Sequence, residues 1–166
     1  MPPAHAIQPA EPGLDERSLR TAFGRFATGV AFVTTELDDT PLGLIVSSFA
    51  AVSLQPPLVS FCPSRDSITW QRMRHAGRFT VHVLDERHGG FVRRAAPPGA
   101  DRFAEPDVLR DALASLECEI ADQHAAGDHW IVVGQVRGLR VATYARPLVY
   151  FDGRLGAFTA AEAGGR

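Results

Sequence analysis

Short apolar runs recur along the chain, and most of them have the pattern of β-strands. Residues 79–83 alternate apolar and polar side chains, as in a half-buried strand, whereas residues 44–46 form the continuous apolar run of a buried strand. Helical spacing is limited to short segments, the first running from an N-cap at Asp15 to about Phe26. The pattern therefore predicts a mainly β protein with short helices.

Most of the predicted strands are joined by turns of hairpin length. Strands are predicted at residues 30–36, 44–46, 58–62, 79–83, 116–122, 130–143 and, as the last strand, 148–151. Thr28-Gly29 is predicted to end the first helix, residues 67–73 and 86–95 to form two more, and Gly138 to mark a bulge in the long strand. Hairpin connections favour an antiparallel barrel with peripheral helices over a doubly wound parallel sheet.

Length and composition indicate one domain. The chain has 166 residues, 45% of them hydrophobic, which is enough for a substantial core. Residues 1–13 are rich in Pro and Ala and are predicted to form a flexible N-terminal arm, residues 14–158 the folded domain, and residues 159–166 a C-terminal tail. The net charge of −2 and the lack of a long apolar run argue against partners such as nucleic acid or a membrane.

The residue types that are missing or scarce narrow the chemistry. All seventeen Lys and Arg residues are Arg, so a bound phosphate must be held by Arg, hydroxyls or backbone N–H groups, and no lysine Schiff base can form. Cys62 and Cys118 lie in apolar runs, so we interpret them as reduced, buried thiols of a cytoplasmic protein. Because neither has metal-ligand spacing and the six His are scattered, we expect no metal site.

Two hydroxyl side chains, Ser47 and Ser48, follow directly after the apolar run at residues 44–46. At the end of a rigid strand, their hydroxyls and N–H groups could hold an oxygen-rich ligand. A simple turn is the alternative interpretation of the pair. The sequence contains neither a GxGxxG motif nor a P-loop, so the Rossmann and Walker types of phosphate site are excluded.

Several segments occur in an order and spacing that can be compared with known families. They are Phe-Ala-Thr-Gly-Val at residues 26–30, Val-Thr-Thr at 33–35, Gly-Leu-Ile-Val-Ser-Ser-Phe at 43–49, Val-Ser-Leu-Gln-Pro-Pro-Leu at 52–58, Phe-Thr-Val-His-Val-Leu at 79–84, Leu-Glu-Cys at 116–118, Gly-Asp-His at 127–129, Val-Gly at 133–134 and Pro-Leu-Val-Tyr at 147–150. Together they resemble the flavin reductase family with the FMN-binding split barrel, over about residues 19–154. Each segment is weak evidence alone, and their order carries the resemblance.

The resemblance implies a fold, an activity and partners. It implies an antiparallel split β-barrel that uses FMN or FAD with NADH or NADPH as hydride donor, in a homodimer with the flavin near the subunit interface. It also implies that the reduced flavin is supplied to a separate flavin-dependent monooxygenase. A nicotinamide hydride would pass to the flavin, so the protein would position the two rings, and no catalytic residue is expected.

The resemblance also assigns residues to the flavin. It implies that Ser47, Ser48 and Phe49 lie along the flavin and that Cys62 and Pro63 lie beside it at the end of the next strand.

The phosphate of the flavin is assigned to Ser67 and Thr69, for which a plain helix cap is the alternative. The start of a helix favours an anion whatever the family. Arg65, Arg93 and Arg94 are candidates for a 2′-phosphate or pyrophosphate, and the sequence does not choose among them.

The dinucleotide side is assigned to three further residues. The resemblance implies that His129 contacts the nicotinamide side of the flavin or the dinucleotide, with a turn histidine as the alternative. Tyr150 and Arg154 would lie near the dinucleotide, although Tyr150 could equally belong to the core. His82 and His124 match no motif, so we expect them at the surface.

Three departures from the family pattern bear on flavin binding. Ile45 stands where the family often has Thr, which removes a hydroxyl from the flavin wall. Ala95 lies where the family often has a Phe that flanks the cofactor, and the connector at residues 101–111 is short. A flavoprotein that retains its flavin and oxidises a small molecule, a flavin-binding protein without reductase activity, and a barrel that binds neither ligand are the rival hypotheses.

Overall fold

The computed structural model describes residues 14–143 and 146–160, so the predicted arm at residues 1–13 and most of the predicted tail lie outside the described residues. The strands are β1 Thr28–Gly29, β2 Ala31–Leu37, β3 Thr40–Val46, β4 Ala50–Leu54, β5 Pro57–Phe61, β6 Arg78–Val83, β7 Ala114–Ala126, β8 His129–Val141, β9 Leu148–Phe151 and β10 Arg154–Ala157. The α-helices are α1 Glu16–Gly24, α2 Ile68–Met73, α3 Gly89–Ala95 and α4 Asp107–Arg110, with 3-10 turns at Arg74–Ala76 and Glu86–His88.

The strands form two antiparallel sheets. The larger has seven strands in the order β3-β2-β6-β7-β8-β5-β4, and the smaller has three in the order β1-β9-β10. Each pairing between these strands is antiparallel, and the helices lie in the connections. The predicted mainly β, antiparallel fold with short peripheral helices is confirmed. None of the helices among the described residues is long and apolar enough to cross a membrane.

Side chains on the two faces of strand β2 pack into two separate apolar clusters. Val33 packs into the interior cluster, which also holds the buried Phe61 and Trp70. Phe32, the neighbouring residue, points to the opposite face and packs with Phe91 of α3 in the outer cluster. Because successive side chains of a strand alternate between faces, one strand joins the barrel interior to the helical layer outside it.

Three short strands, β1, β4 and β10, were not predicted from the sequence, and β4 forms a hairpin with β5. Thr28-Gly29, predicted to end the first helix, instead forms β1 and pairs with Tyr150 and Val149 of β9. The run at residues 148–151 is not the last strand, because β10 follows it as a hairpin partner. Strands this short have almost no periodicity of their own, and β1 is formed by its long-range pairing with β9.

The bulge predicted near Gly138 is present in the long β7–β8 hairpin. Glu117 pairs with Gly138 and Cys118 pairs with Val136, which leaves Arg137 as the extra residue. A second irregularity, between Ile120 and Asp122, leaves one extra residue on β7. Bulges of this kind increase the local twist, which helps a sheet of seven strands to curl.

Helix α1 starts as predicted but packs differently. The Asp15 side chain accepts a hydrogen bond from the Ser18 N–H at 2.9 Å, which confirms the N-cap. No residue of the helix is buried, and the predicted apolar residues Phe23 and Phe26 are 71% and 76% exposed. The helix is attached to the β9–β10 turn, where the Asp152 N–H donates to the Gly24 carbonyl at 2.9 Å.

Candidate functional site

A cavity of about 460 Å³ opens where strands β3 and β5 end and strand β8 begins. Its lining consists of Leu44, Ile45, Val46, Ser47, Ser48, Cys62, Pro63, Ser64, Ser67 and His129. Three well-separated parts of the chain meet here, because β3 and β5 end on the same side of the barrel as the turn that enters β8. The cavity therefore contains six of the ten residues predicted for the cofactor.

The Ser48 hydroxyl joins the ends of two strands that are not paired with each other. Its Oγ accepts a hydrogen bond from the Cys62 N–H at 2.9 Å and lies 3.4 Å from the Cys62 carbonyl, to which it donates. Since β3 and β5 are far apart in the sheet order, this contact holds the two strand ends together across the cavity floor. Ser48 is thus a bridge between strands, whereas the exposed Ser47 has its side chain toward the cavities.

The loop after β5 and the turn before β8 are held together by backbone hydrogen bonds. The Arg65 N–H donates to the Asp128 carbonyl and the Trp130 N–H donates to the Pro63 carbonyl, both at 2.9 Å. Ser67 caps α2 by accepting from the Trp70 N–H at 3.1 Å. The loop that carries Pro63 and Ser67 is therefore fixed in place beside His129.

His129 is half-buried, and its ring orientation is set by its neighbour. His129 Nδ1 lies 2.8 Å from Asp128 Oδ1, and the hydrogen bond from the His129 side chain lowers the pKa of the Asp128 carboxyl. Asp128 is almost fully exposed and orients the ring from the solvent side. A histidine bonded through Nδ1 keeps Nε2 for a ligand, which is the geometry expected of a binding residue.

Cys62 is part of the cavity wall rather than a nucleophile. Burial raises the pKa of its thiol, and the hydrogen bond from the Ser48 side chain only partly offsets this effect. Since the thiolate is the reactive form, Cys62 remains a neutral thiol at physiological pH. The sequence-based interpretation of both cysteines as reduced agrees with the structure, in which Cys62 and Cys118 are free.

A second cavity, of about 660 Å³, adjoins the first across the end of β3. Its lining consists of Val30, Ile45, Val46, Ser47, Val92, Arg93, Ala96, Tyr150, Gly153, Arg154 and Leu155. Ile45, Val46 and Ser47 belong to the walls of both cavities. Tyr150 and Arg154, predicted near the dinucleotide, are therefore separated from His129 by the end of β3 alone.

Two predicted cofactor residues lie outside both linings. Phe49 is partly buried and packs against the interior apolar cluster, and Thr69 is the second residue of α2. Sequence reasoning in turn missed Ser64 and Ala96, whereas Arg93, one of its three candidates for a phosphate, lines the second cavity. Ala95 lies where the family often has a Phe that flanks the cofactor, but in this structure it is buried in the outer cluster. Its neighbour Ala96 lines the second cavity instead.

His82 was predicted to lie at the surface because it matches no motif, but the structure buries it. It is 8% exposed, with Nε2 3.0 Å from Thr34 Oγ1 and Nδ1 3.1 Å from Ser115 Oγ. Burial, with a smaller contribution from the positive charge of Arg140, lowers the pKa of His82 to about 4. His124 is exposed and pairs with Asp122, as expected of a surface residue.

Comparison with known proteins supplies the identity of the fold. The chain matches the flavin reductase like domain over residues 23–159, most of its length. The chain belongs to the flavin reductase family. The match confirms the resemblance drawn from the sequence, together with the flavin reductase activity that it implied.

Individual proteins are similar to this chain in sequence and in structure over most of its length. Reductase subunit HsaB of a flavin-dependent monooxygenase from Mycobacterium tuberculosis is 38% identical over 151 residues, covering 84% of this chain and 81% of its own. Component B of a nitrilotriacetate monooxygenase from Mycobacterium thermoresistibile superposes with a TM-score of 0.83 and 34% identity, over 92% and 93% of the two chains. An NADH:FAD oxidoreductase of Streptomyces globisporus, solved with NAD and FAD fragments, has a TM-score of 0.82 and 32% identity, over 95% and 99%.

Proposed function

We propose that this flavin reductase reduces FMN or FAD with NADH or NADPH and releases the reduced flavin to a separate monooxygenase. The observation that carries the proposal is the cavity at the ends of β3 and β5, where residues as distant in sequence as Ser47, Cys62 and His129 share one wall. Relatives named as reductase subunits of flavin-dependent monooxygenases support the partner.

The residues of the cavity suit a flavin. Leu44, Ile45 and Val46 offer an apolar wall of the kind that an aromatic ring system requires, and the hydroxyls of Ser47 and Ser64 offer partners for a polyhydroxyl chain. When bound, the flavin would supply the hydride-accepting chemistry. The protein binds, orients and excludes water, so no acid or base among its side chains need take part.

Distinct parts in this proposal belong to four of the predicted site residues, Ser47, Ser48, Ser67 and His129. Ser47 lies at the junction of the two cavities, where the reacting rings of the two ligands must meet. Ser48 holds the floor through Cys62, and Ser67 positions its loop by capping α2. His129, oriented by Asp128, presents a ring nitrogen to the ligand on the dinucleotide side.

Weak retention of the flavin is consistent with the departure at Ile45. An isoleucine in the wall shared by both cavities gives apolar contact but no hydrogen bond, where the family often has a hydroxyl. Hydrogen bonds to a bound ligand each contribute about 1 kcal/mol. A ligand that must leave after each turnover needs fewer hydrogen bonds to the protein. The missing hydroxyl at position 45 therefore fits a flavin that is used as a substrate.

We also propose that the protein is a homodimer of the cytoplasm. Strand β4 is an edge strand with an exposed apolar side, since Val52 is 53% and Leu54 91% exposed, and α1 leaves Phe23 and Phe26 uncovered. Apolar edges of this kind are commonly covered by a second copy. The two free thiols support a reducing compartment.

The proposed function is tested by mixing the protein with NADH or NADPH and with FMN or FAD. The absorbance of the reduced dinucleotide and that of the oxidised flavin are followed separately. We expect dinucleotide oxidation that requires added flavin, followed under anaerobic conditions by bleaching of the free flavin in excess over protein. A stable flavin complex without dinucleotide oxidation would instead identify a flavin-binding protein. Absence of both binding and oxidation would reject the enzyme altogether.

A further inference from the structure

The structure distinguishes three arginines that the sequence could not rank. Arg94 is neutralised by an ion pair with Glu105. Arg65 lies over the Trp130 ring at 5.5 Å and donates to the Gly127 carbonyl at 3.3 Å, so its guanidinium is already engaged. Arg93 alone of the three lines a cavity beside the predicted site.

Arg93 shares that cavity with a second guanidinium. Arg93 comes from α3 and Arg154 from the start of β10, and both line the second cavity together with Tyr150. Among the residues that the structure describes, neither arginine forms an ion pair, and the cavity lining includes no Asp or Glu. Two uncompensated positive charges thus face one cavity in a protein whose net charge is −2.

The rest of the lining indicates what kind of anion fits. The walls are formed by apolar side chains such as Val30, Val92 and Leu155, with the Tyr150 ring among them. Such walls suit a planar ring system, whereas guanidinium groups bind phosphate oxygens through two parallel hydrogen bonds. A cavity with both features, joined to the proposed flavin cavity at Ser47, suits a phosphorylated nucleotide that extends to the flavin.

We propose that Arg93, together with Arg154, binds a phosphate group of the nicotinamide dinucleotide and that Arg93 sets the affinity for this substrate. The inference rests on the proposed function. The phosphate could be the pyrophosphate, common to NADH and NADPH, or the 2′-phosphate, found in NADPH alone. Both present the same anionic oxygens to the two guanidinium groups, so the experiment separates them.

The test measures binding as well as turnover in Arg93→Gln, Arg93→Lys and Arg154→Gln. Calorimetric titration with ADP-ribose and with its 2′-phosphate gives affinities that need no flavin and no reaction. We expect Arg93→Gln to weaken binding about tenfold and to raise the KM for the dinucleotide to a similar extent. The KM for FMN should change less than twofold, and Arg93→Lys should recover part of the loss because it keeps the charge.

Arg94→Gln is the matched control, since it removes the next arginine of the same helix without touching the cavity. A loss confined to the 2′-phosphate compound identifies that group as the ligand, and an equal loss for both compounds identifies the pyrophosphate. Unchanged binding in both Arg93→Gln and Arg154→Gln would overturn the inference, as would a rise in the flavin KM equal to that for the dinucleotide. If the wild-type protein oxidises no dinucleotide at all, the proposed function has failed, which is a distinguishable result.

Discussion

At the scale of single residues, His129 joins the two halves of the proposed reaction. Its ring lines the cavity proposed for the flavin, and the bond to Asp128 fixes the orientation of the ring there. Replacing His129 with Ala should raise the KM for NADH by about tenfold and the KM for flavin by less than threefold, because one hydrogen bond to the dinucleotide is lost. Steady-state rates at varied concentrations of each substrate give both values.

The control for this change is His124→Ala, which removes an exposed histidine of β7 that also pairs with an aspartate. It should leave both constants unchanged. Equal effects of His129→Ala on the two KM values would refute the assignment of His129 to the dinucleotide side.

His82 makes a second prediction, about stability and pH. The pKa of His82 is lowered to about 4 from an ordinary value of 6.5, so the folded protein holds this ring neutral. Above pH 6.5 the ring is neutral in the folded and unfolded states alike. As the pH falls from 6.5 toward 4, only the unfolded state gains the proton, so the free energy of unfolding should decrease, by at most about 3 kcal/mol.

Urea unfolding at several pH values between 7 and 4 measures this decrease. His82→Gln keeps a side chain that can bond to Thr34 and Ser115 but cannot gain a proton in this range. The variant should therefore show a shallower decrease than the wild type, while His88, whose pKa is also lowered mainly by burial, contributes equally to both. Parallel curves for the two proteins would contradict the prediction.

The position of His82 also shows what residue patterns leave undecided. The alternation of Phe79, Val81 and Val83 correctly predicted the face of β6 that points into the barrel. It placed His82 on the other face of the strand, and no residue pattern predicted that this face is covered. In the structure, His82 lies beside the Phe32 ring of β2, which packs in turn against Phe103 of the connector, and tertiary contacts of this kind bury the histidine.

At the scale of elements, strands with an apolar pattern and turn residues of their own were predictable, whereas β1, β4 and β10 were not. The strands β2, β5, β6 and β9 lie within a residue of their predicted positions because each has its own apolar pattern and turn residues. β1 depends on pairing with β9, which lies far from it in the sequence, and β4 and β10 are short partners of β5 and β9 that their own residue patterns did not predict. The helix of the connector, α4, is a single turn and was equally without a signal.

The close contact between β6 and β8 gives a prediction at this scale. A Cβ added at Gly134 would lie 2.4 Å from the Phe79 ring and 3.3 Å from the Cys118 Cβ. Because that ring is buried in the interior cluster and has little room to move, Gly134→Ala should destabilise the protein by about 2 kcal/mol. The expected fall in the melting temperature is about 5 °C.

Gly156→Ala in β10 is the matched control, since a Cβ there meets nothing within 4 Å. Its melting temperature should stay within about 1 °C of the wild type. An equally small effect of Gly134→Ala would show that the Phe79 ring can shift without cost.

At the scale of the whole molecule, the exposed edge at β4 predicts assembly. If a second copy covers it, light scattering should give twice the chain mass of 17.9 kDa. Leu54→Asp, which places a charge on a side chain that is 91% exposed, should shift the mass toward one chain without loss of folded structure. Leu139→Asp, on β8 and away from β4, tests whether any exposed leucine has this effect.

A single-chain mass for the wild type would reject the homodimer. A stable dimer in Leu54→Asp would place the interface elsewhere, with the apolar face of α1 as the remaining candidate.

For the molecule as a whole, the fold could be predicted from residue patterns, but the grouping of the candidate site residues could not. Periodicity and turn residues predicted the barrel but could not bring Ser47 and His129 together, since nothing local relates them. Their grouping came from the resemblance to the flavin reductase family, and the structure places both in one cavity. Arg93 was only one of three possibilities, because the side chains that engage Arg65 and Arg94 are known only from the fold.

The raised pKa values of the two thiols have a consequence for how long such a protein lasts. Reduced flavin that meets oxygen before it meets a partner enzyme gives hydrogen peroxide, so a flavin reductase works next to a source of oxidant. Peroxide attacks thiolates, and burial raises the pKa of Cys118 to about 11 and also raises that of Cys62. Both sulfurs therefore remain in the thiol form, which oxidises slowly, and we expect them to react only slowly with the peroxide that the reaction generates.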